Sequence, residues 1–224
     1  FENDEGFCEK IFLDSKGVVN KKGFAKILTL IGVIKNIALA IRLINTKKID
    51  TVISVGGYSA APLVLGCIIT RKKLYIHEQN AIQGTLNKLS APYAKAIFSS
   101  FGASSPAKDY PVSNACFELA RDRDELRTVI FLGGSQGAAK INELAIELAP
   151  ALKEKGISII HQTGAKSYES IATKYQEIGV EADVFGFSKE LHQKIAKADF
   201  AVARSGAGTL FELAAHRLPA FFIP

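Results

Sequence analysis

The 224-residue sequence contains no methionine and no tryptophan, and only three cysteines, Cys8, Cys67 and Cys116. Three thiols so far apart are too few for a disulfide framework and too scattered for a zinc cluster, so a reducing, cytoplasmic setting is expected. No run of about 18 apolar residues suggests a membrane span, and no secretory leader is visible. The lack of an initiator before Phe1 reads as a fragment, expected to be truncated at both ends. What is present is ordinary: 48% hydrophobic and 22% charged residues exclude a disordered or collagen-like chain. The net charge is +6, and the length suits one large domain or two small ones.

Short β-branched runs alternate with helical stretches, the pattern of an α/β protein with parallel sheets. The runs are residues 51–55, 74–77, 96–100, 128–132, 157–161, 183–187, 200–203 and 220–223, and each reads as a strand covered on both faces. Helices are predicted over 60–69, 84–94, 138–153, 166–178, 189–196 and 208–215. The rhythm breaks after Phe101 in a stretch rich in turn formers and then charge. The predicted organisation is therefore an incomplete N-terminal domain at 1–112, a connection at 113–126 and an incomplete C-terminal domain at 127–224.

Acid is also missing locally. Residues 15–48 hold eight Lys or Arg and no Asp or Glu, with isoleucine and leucine recurring at helical spacing. Lys26, Lys35 and Arg42 interrupt the apolar run, so a bilayer-spanning helix is not expected. The segment reads either as a helix covering the sheet with a solvated basic face, or as a surface that meets anionic lipid head groups. In the second case Ile31, Ile34 and Ile37, spaced three apart, would share the contacting face.

Ligands of open α/β sheets bind at the carboxyl ends of the strands, and four loops there are polar or glycine-rich. Gly56-Gly57-Tyr58 follows the first run and is either an anion-approaching loop or a tight turn. His77-Glu78-Gln79-Asn80 places four polar side chains at a strand end. His77 and Glu78 could transfer a proton there, and Gln79 and Asn80 could bind hydroxyls or amides. Gly133-Gly134-Ser135-Gln136-Gly137 and Arg204-Ser205-Gly206-Ala207 each lead a strand into a helix, whose free amides form an anion site. Glu212, early in the last helix, could accept hydrogen bonds from a ribose diol or could merely complement the helix dipole. Nicotinamide and ATP enzymes are disfavoured, because the strand after the third loop ends without a carboxylate and no P-loop Lys-Ser pair follows Gly137. Asp122-Arg123-Asp124 resembles an acid-x-acid metal motif but lies in the charged connection, and reads as solvated surface.

Taken in order, Gly56-Gly57-Tyr58, His77-Glu78-Gln79-Asn80, Gly133-Gly134-Ser135-Gln136-Gly137 and Arg204-Ser205-Gly206-Ala207 resemble the MurG family across nearly the whole chain. That family comprises the bacterial transferases converting lipid I to lipid II in peptidoglycan synthesis. The resemblance implies a GT-B fold, two Rossmann-like domains with parallel sheets facing a cleft. It implies an inverting transfer of N-acetylglucosamine from UDP-N-acetylglucosamine to a lipid-linked acceptor, at the cytoplasmic face of the inner membrane and against an anionic surface. Ser135 and Gln136 would meet the donor, the backbone at Ser188 the uracil, and Ala207, Gly208, Thr209, Leu210, Phe211 and Glu212 the phosphate and ribose. Gly56, Gly57, Tyr58, Glu78 and Asn80 would line the acceptor side. No cofactor, metal or nucleic acid is expected. The family's usual Asn-Pro-Val-Arg crossing reads here as Pro111-Val112-Ser113, which lacks the arginine. A UDP-sugar epimerase and a non-catalytic nucleotide-binding module remain as alternatives.

Overall fold

The computed structural model describes residues 9–12, 24–134 and 137–224, with the side chains of residues 24–31 outside the described set. The chain divides into two compact units, Phe1–Asp109 and Tyr110–Pro224.

In the first unit, helix α1 (Phe24–Thr46) precedes strand β1 (Thr51–Ser54), α2 (Ala61–Ile69), β2 (Lys73–His77), α3 (Thr85–Ser90) and β3 (Ala94–Phe98). The three strands are parallel in the order β1-β2-β3. Ala40 and Ile44, four apart on α1, are buried against α2, and Gly66 of α2 lets the two backbones approach: a methyl there would sit 3.2 Å from Ala40 Cβ. Ile44 joins Val52, Val64, Cys67, Leu74 and Ile76 in one core. The expectation of strands covered on both faces needs correction for β1. It alternates exposed and buried residues, and Ile53 stays 67% exposed, because the described helices that pack here lie over the face carrying Val52 and Ser54.

The second unit contains α4 (Asn114–Glu118), β4 (Thr128–Leu132), α5 (Ala139–Glu154), β5 (Ser158–Gln162), α6 (Tyr168–Glu177), β6 (Asp183–Phe185), α7 (Leu191–Lys197), β7 (Phe200–Arg204), α8 (Ala207–Ala215) and β8 (Ala220–Ile223). Its five parallel strands run in the order β6-β5-β4-β7-β8. Period-two alternation along β4 explains the layers. Val129 and Phe131 pack with Ile141, Ala145, Ile171 and Tyr175 of α5 and α6 on one face. Ile130 and Leu132 pack with Ile195 and Leu213 of α7 and α8 on the other. A side chain such as Phe131, fully buried, contributes about 2–3 kcal/mol relative to exposure.

Residues 113–126 are not irregular throughout. Ser113 caps α4 by accepting from the Ala115 N–H. Arg121 donates to the Ala196 and Ala198 carbonyls at the end of α7 and pairs with Asp199. Arg123 donates to the carbonyls of Ala198 and His216. These bonds tie the stretch to the second unit.

Candidate functional site

Two groups of loops gather at the carboxyl ends of the strands, one in each unit.

In the first unit the organising residue is Glu78, which follows β2 and is 4% exposed. Its Oε1 accepts from the Asn80 N–H at 2.9 Å and from Asn80 Nδ2, and its Oε2 accepts from the Gly84 N–H at 2.9 Å and from Asn87 Nδ2 at 2.8 Å. Burial alone would raise its pKa, but the hydrogen bonds from Asn80, Asn87 and Gly84 outweigh that and hold the carboxyl below its ordinary range. A carboxylate so fully engaged and so weakly basic is suited to shaping a loop rather than to taking a proton. Asn87 extends the link to the β1 loop. A Cβ at Gly56 would lie 2.8 Å from Asn87 Nδ2, and φ is +82° there, so both space and backbone demand glycine. The side-chain oxygen Oδ1 of Asn87 is buried without a hydrogen-bond partner. Tyr58 and Asn80 are exposed beside this framework, and His77 ends β2 half-buried. A cavity of about 210 Å³ opens here, lined by Glu78, Asn80, Gln83, Ser99, Phe101 and Ser104.

In the second unit the strand order reverses at β4, whose neighbours are β5 on one side and β7 on the other. Open α/β sheets bind ligands at such a switch point. The loop after β4 leads into α5 and the loop after β7 leads into α8, so two helix N-termini flank it. Neither helix carries a side-chain cap, which leaves the first-turn amides available to an anion. The β4 loop is built for close approach. A Cβ at Gly133 would sit 2.8 Å from the Gln162 carbonyl, and one at Gly137, with φ +79°, would sit 2.7 Å from the Thr163 carbonyl. Gln162 also accepts from the Gly134 N–H through its side chain, at 3.2 Å. Ser135 and Gln136 lie outside the described residues.

Behind that loop runs a buried polar chain. Asn142 donates through Nδ2 to the Thr163 carbonyl, so its Oδ1 accepts from His161 Nε2 at 3.0 Å, and His161 Nδ1 then accepts from the Tyr175 hydroxyl at 3.0 Å. Burial pushes the His161 pKa down to about 4 and raises that of Tyr175. The imidazole is therefore neutral and serves as a structural link.

Ala207, Gly208 and Thr209 open α8 half-buried, and Leu210 is exposed. Phe211 is packing as well as wall: its ring stacks on Tyr110 at 4.3 Å and 9°. Glu212 is half-buried rather than solvent-facing, and burial raises its carboxyl pKa while the charge of His192 lowers it. Ser188, after β6, accepts from the Glu190 N–H. Tyr110, Asn87, Asn142 and Gln162 carry no motif of their own, and their roles come from partners distant in sequence. The two acids of the acid-x-acid stretch lie on solvated surface, where Asp122 pairs with the likewise exposed Arg217 at 3.1 Å. A larger cleft of about 480 Å³ in the second unit, lined by Arg121, Asp124, Arg127 and Asp199, lies at the amino end of β4, away from the loops at that strand's carboxyl end.

The predicted membrane trio is divided. Ile34 is 59% exposed, Ile37 is half-buried on the flank toward Ala40, and the side chain of Ile31 lies outside the described set. The exposed face of α1 instead combines Ile34 and Leu39 with Lys35 and Arg42. No helix among the described residues is long and apolar enough to cross a membrane.

Residues 3–99 match the family model of the glycosyltransferase family 28 N-terminal domain, and residues 128–224 that of its C-terminal domain. A curated UDP-N-acetylglucosamine–N-acetylmuramyl-(pentapeptide) pyrophosphoryl-undecaprenol N-acetylglucosamine transferase from Nitratiruptor sp. is 51% identical over the whole chain, which covers 67% of that relative. The transferase of the same name from Campylobacter fetus is 52% identical, with 66% of it covered. The chain thus spans about two thirds of the length of the curated relatives it matches. Among solved structures, Acinetobacter baumannii MurG aligns with a TM-score of 0.65 and 28% identity, over 91% of this chain and 61% of that one. A UDP co-structure of S. aureus MnaA aligns at 0.58 with 11% identity, a likeness of fold alone.

Proposed function

Because the chain belongs to glycosyltransferase family 28, in its MurG branch, we propose that the protein transfers N-acetylglucosamine from UDP-N-acetylglucosamine to lipid I. The observation that carries the reading is the pair of uncapped helix N-termini, α5 and α8, at the switch point of the second sheet. Fixed amide dipoles there would stabilise the diphosphate of UDP as charge develops on it during displacement at the anomeric carbon. Ser135, Gln136 and Ser188 complete the proposed donor site, and Glu212 accepts from the ribose diol. The acceptor belongs to the first unit, at the cavity beside Tyr58 and Asn80. Glu78 positions that loop, which leaves His77 as the proton-transfer candidate of the pair, with the general base itself unassigned.

The full-length protein, given labelled UDP-N-acetylglucosamine and lipid I, should release UDP and form the lipid-linked disaccharide. Conversion of the sugar nucleotide without acceptor would instead indicate an epimerase, and binding without turnover a nucleotide module. At the donor site, Glu212→Ala should weaken UDP binding by about 1–3 kcal/mol through loss of hydrogen bonds to a charged acceptor. Glu212→Gln, which preserves the packing of this half-buried side chain, should also weaken it. Unchanged calorimetric affinity in both variants would remove Glu212 from the donor site.

The membrane contact falls to α1. An acceptor anchored by a polyprenyl chain stays in the bilayer, so the enzyme must dock beside it. Ile34 and Leu39 supply exposed apolar area, while Lys35 and Arg42 would each add about 1 kcal/mol near an anionic surface. The double variant Ile34→Ser, Leu39→Ser should lose sedimentation with anionic vesicles while keeping UDP affinity. Undiminished sedimentation would exclude this face. The location that follows is peripheral, at the cytoplasmic side of the inner membrane.

A further inference from the structure

The second unit holds a cluster that the transfer reaction does not use. Cys116 of α4, His192 in the first turn of α7 and His216 at the end of α8 bring a sulfur and two imidazole nitrogens within 4.8 Å of one another. Cys116 and His216 are fully buried, and His192 is half-buried. Cys116 Sγ lies 3.4 Å from His192 Nδ1, and the two imidazole rings stack at 5.8 Å. Neither ring nitrogen of His216 makes a hydrogen bond of good geometry, although the Leu119 backbone lies close enough to one of them for a weak one. The contrast with His161 in the same unit is direct, since both nitrogens of that buried imidazole are satisfied. Leaving a buried polar group unmatched is unfavourable, and with at most one ring nitrogen engaged by Leu119, the other is open to a further ligand.

We propose that Cys116, His192 and His216 bind a divalent transition metal, with Zn²⁺ the best match. A thiolate with two imidazoles is a borderline-soft donor set that suits zinc and disfavours magnesium or calcium. Tetrahedral zinc bonds of about 2.3 Å to sulfur and about 2.0 Å to nitrogen put neighbouring ligand atoms roughly 3.5 Å apart. The Cys116–His192 edge already has that length, and His216 closes the triangle by a shift of about 1.3 Å at most. Three protein ligands leave the fourth position to water. The Glu212 carboxylate, one helical turn before His216, is near enough to act on both Cys116 and His192, and adds negative charge beside the cation. On binding, the Cys116 thiol gives its proton to solvent as the metal–sulfur bond forms. The ion would clamp three helices, including the one that presents Glu212, and would act as a brace independent of turnover.

The test uses the full chain freed of metal with a chelator and titrated with Co²⁺ as a visible stand-in. One equivalent should produce a thiolate-to-cobalt charge-transfer band, and one equivalent of Zn²⁺ should abolish it and raise the thermal midpoint. Cys116→Ser should remove the band, and His192→Ala, at a half-exposed position that leaves the core intact, should weaken Zn²⁺ binding by about tenfold or more. Absence of the band at stoichiometric cobalt would overturn the proposal. So would a band that survives both substitutions, since the metal would then be bound elsewhere. None of these readouts depends on glycosyl transfer, so a failure here leaves the transferase reading untouched.

Discussion

Glu78→Ala is expected to destabilise the first unit by about 3–5 kcal/mol, because it strips a buried charged acceptor from donors on Asn80, Gly84 and Asn87 at once. The Asn87 amide suffers most, since it is buried and has Glu78 as its partner. The change should register as a lower urea midpoint for the first unit and as faster amide exchange at Asn80 and Gly84, whose N–H groups would be released. Glu78→Gln should fall between, because its amide retains one acceptor oxygen and adds donors that face other donors. A loss below about 1 kcal/mol in the alanine variant would mean that the loop is held by something other than this carboxylate.

Acid should weaken the second unit through His161. Its folded pKa of about 4 lies below the ordinary histidine value of 6.5, so the unfolded chain takes up a proton before the folded one does. The stabilisation is complete above pH 6.5 and is lost as pH falls toward 4, amounting to about 3 kcal/mol across that window. Glu78 and Asp199 have lowered pKa values and lose their contributions at still lower pH, as each is protonated through its folded value. His161→Gln isolates the imidazole: urea midpoints at pH 7 and pH 4.5 should converge in the variant relative to the parent. Equal acid losses in both would show that His161 titrates in the fold as it does in water.

The strands were legible because β-branched runs between turn formers leave few other readings, and β4 and β8 have the bounds expected of them. The glycine loops were legible for the same local reason: Gly133 and Gly137 are required by contacts at the point where the chain turns. Helix α4 was not, since five residues in a stretch rich in turn formers and charge carry too little periodicity to register, and its signal is the single cap at Ser113. Glu78 was visible as a functional candidate, but its engagement depends on Asn87, nine positions away, which no pattern singles out. The same holds for Tyr110 under Phe211 and for the Cys116, His192 and His216 cluster, where tertiary folding alone brings distant residues together. Composition argued against a metal site by counting cysteines, and histidines contributed from separate helices escape that count. In α1 the spacing of isoleucines identified a helix but not which face is covered, a matter settled by the packing of Ala40 and Ile44 on α2.

The bonds made by Arg121 and Arg123 bear on how this fold is inherited. The family's C-terminal domain is recognised from Thr128 onward, yet the compact unit starts at Tyr110. A gene segment exchanged at the recognised border would arrive without the ring beneath Phe211, the guanidinium on Asp199 and the donors for the last carbonyls of α7. A graft that begins at Tyr110 carries all three. In this chain the border set by packing lies upstream of the border along which the domain is recognised.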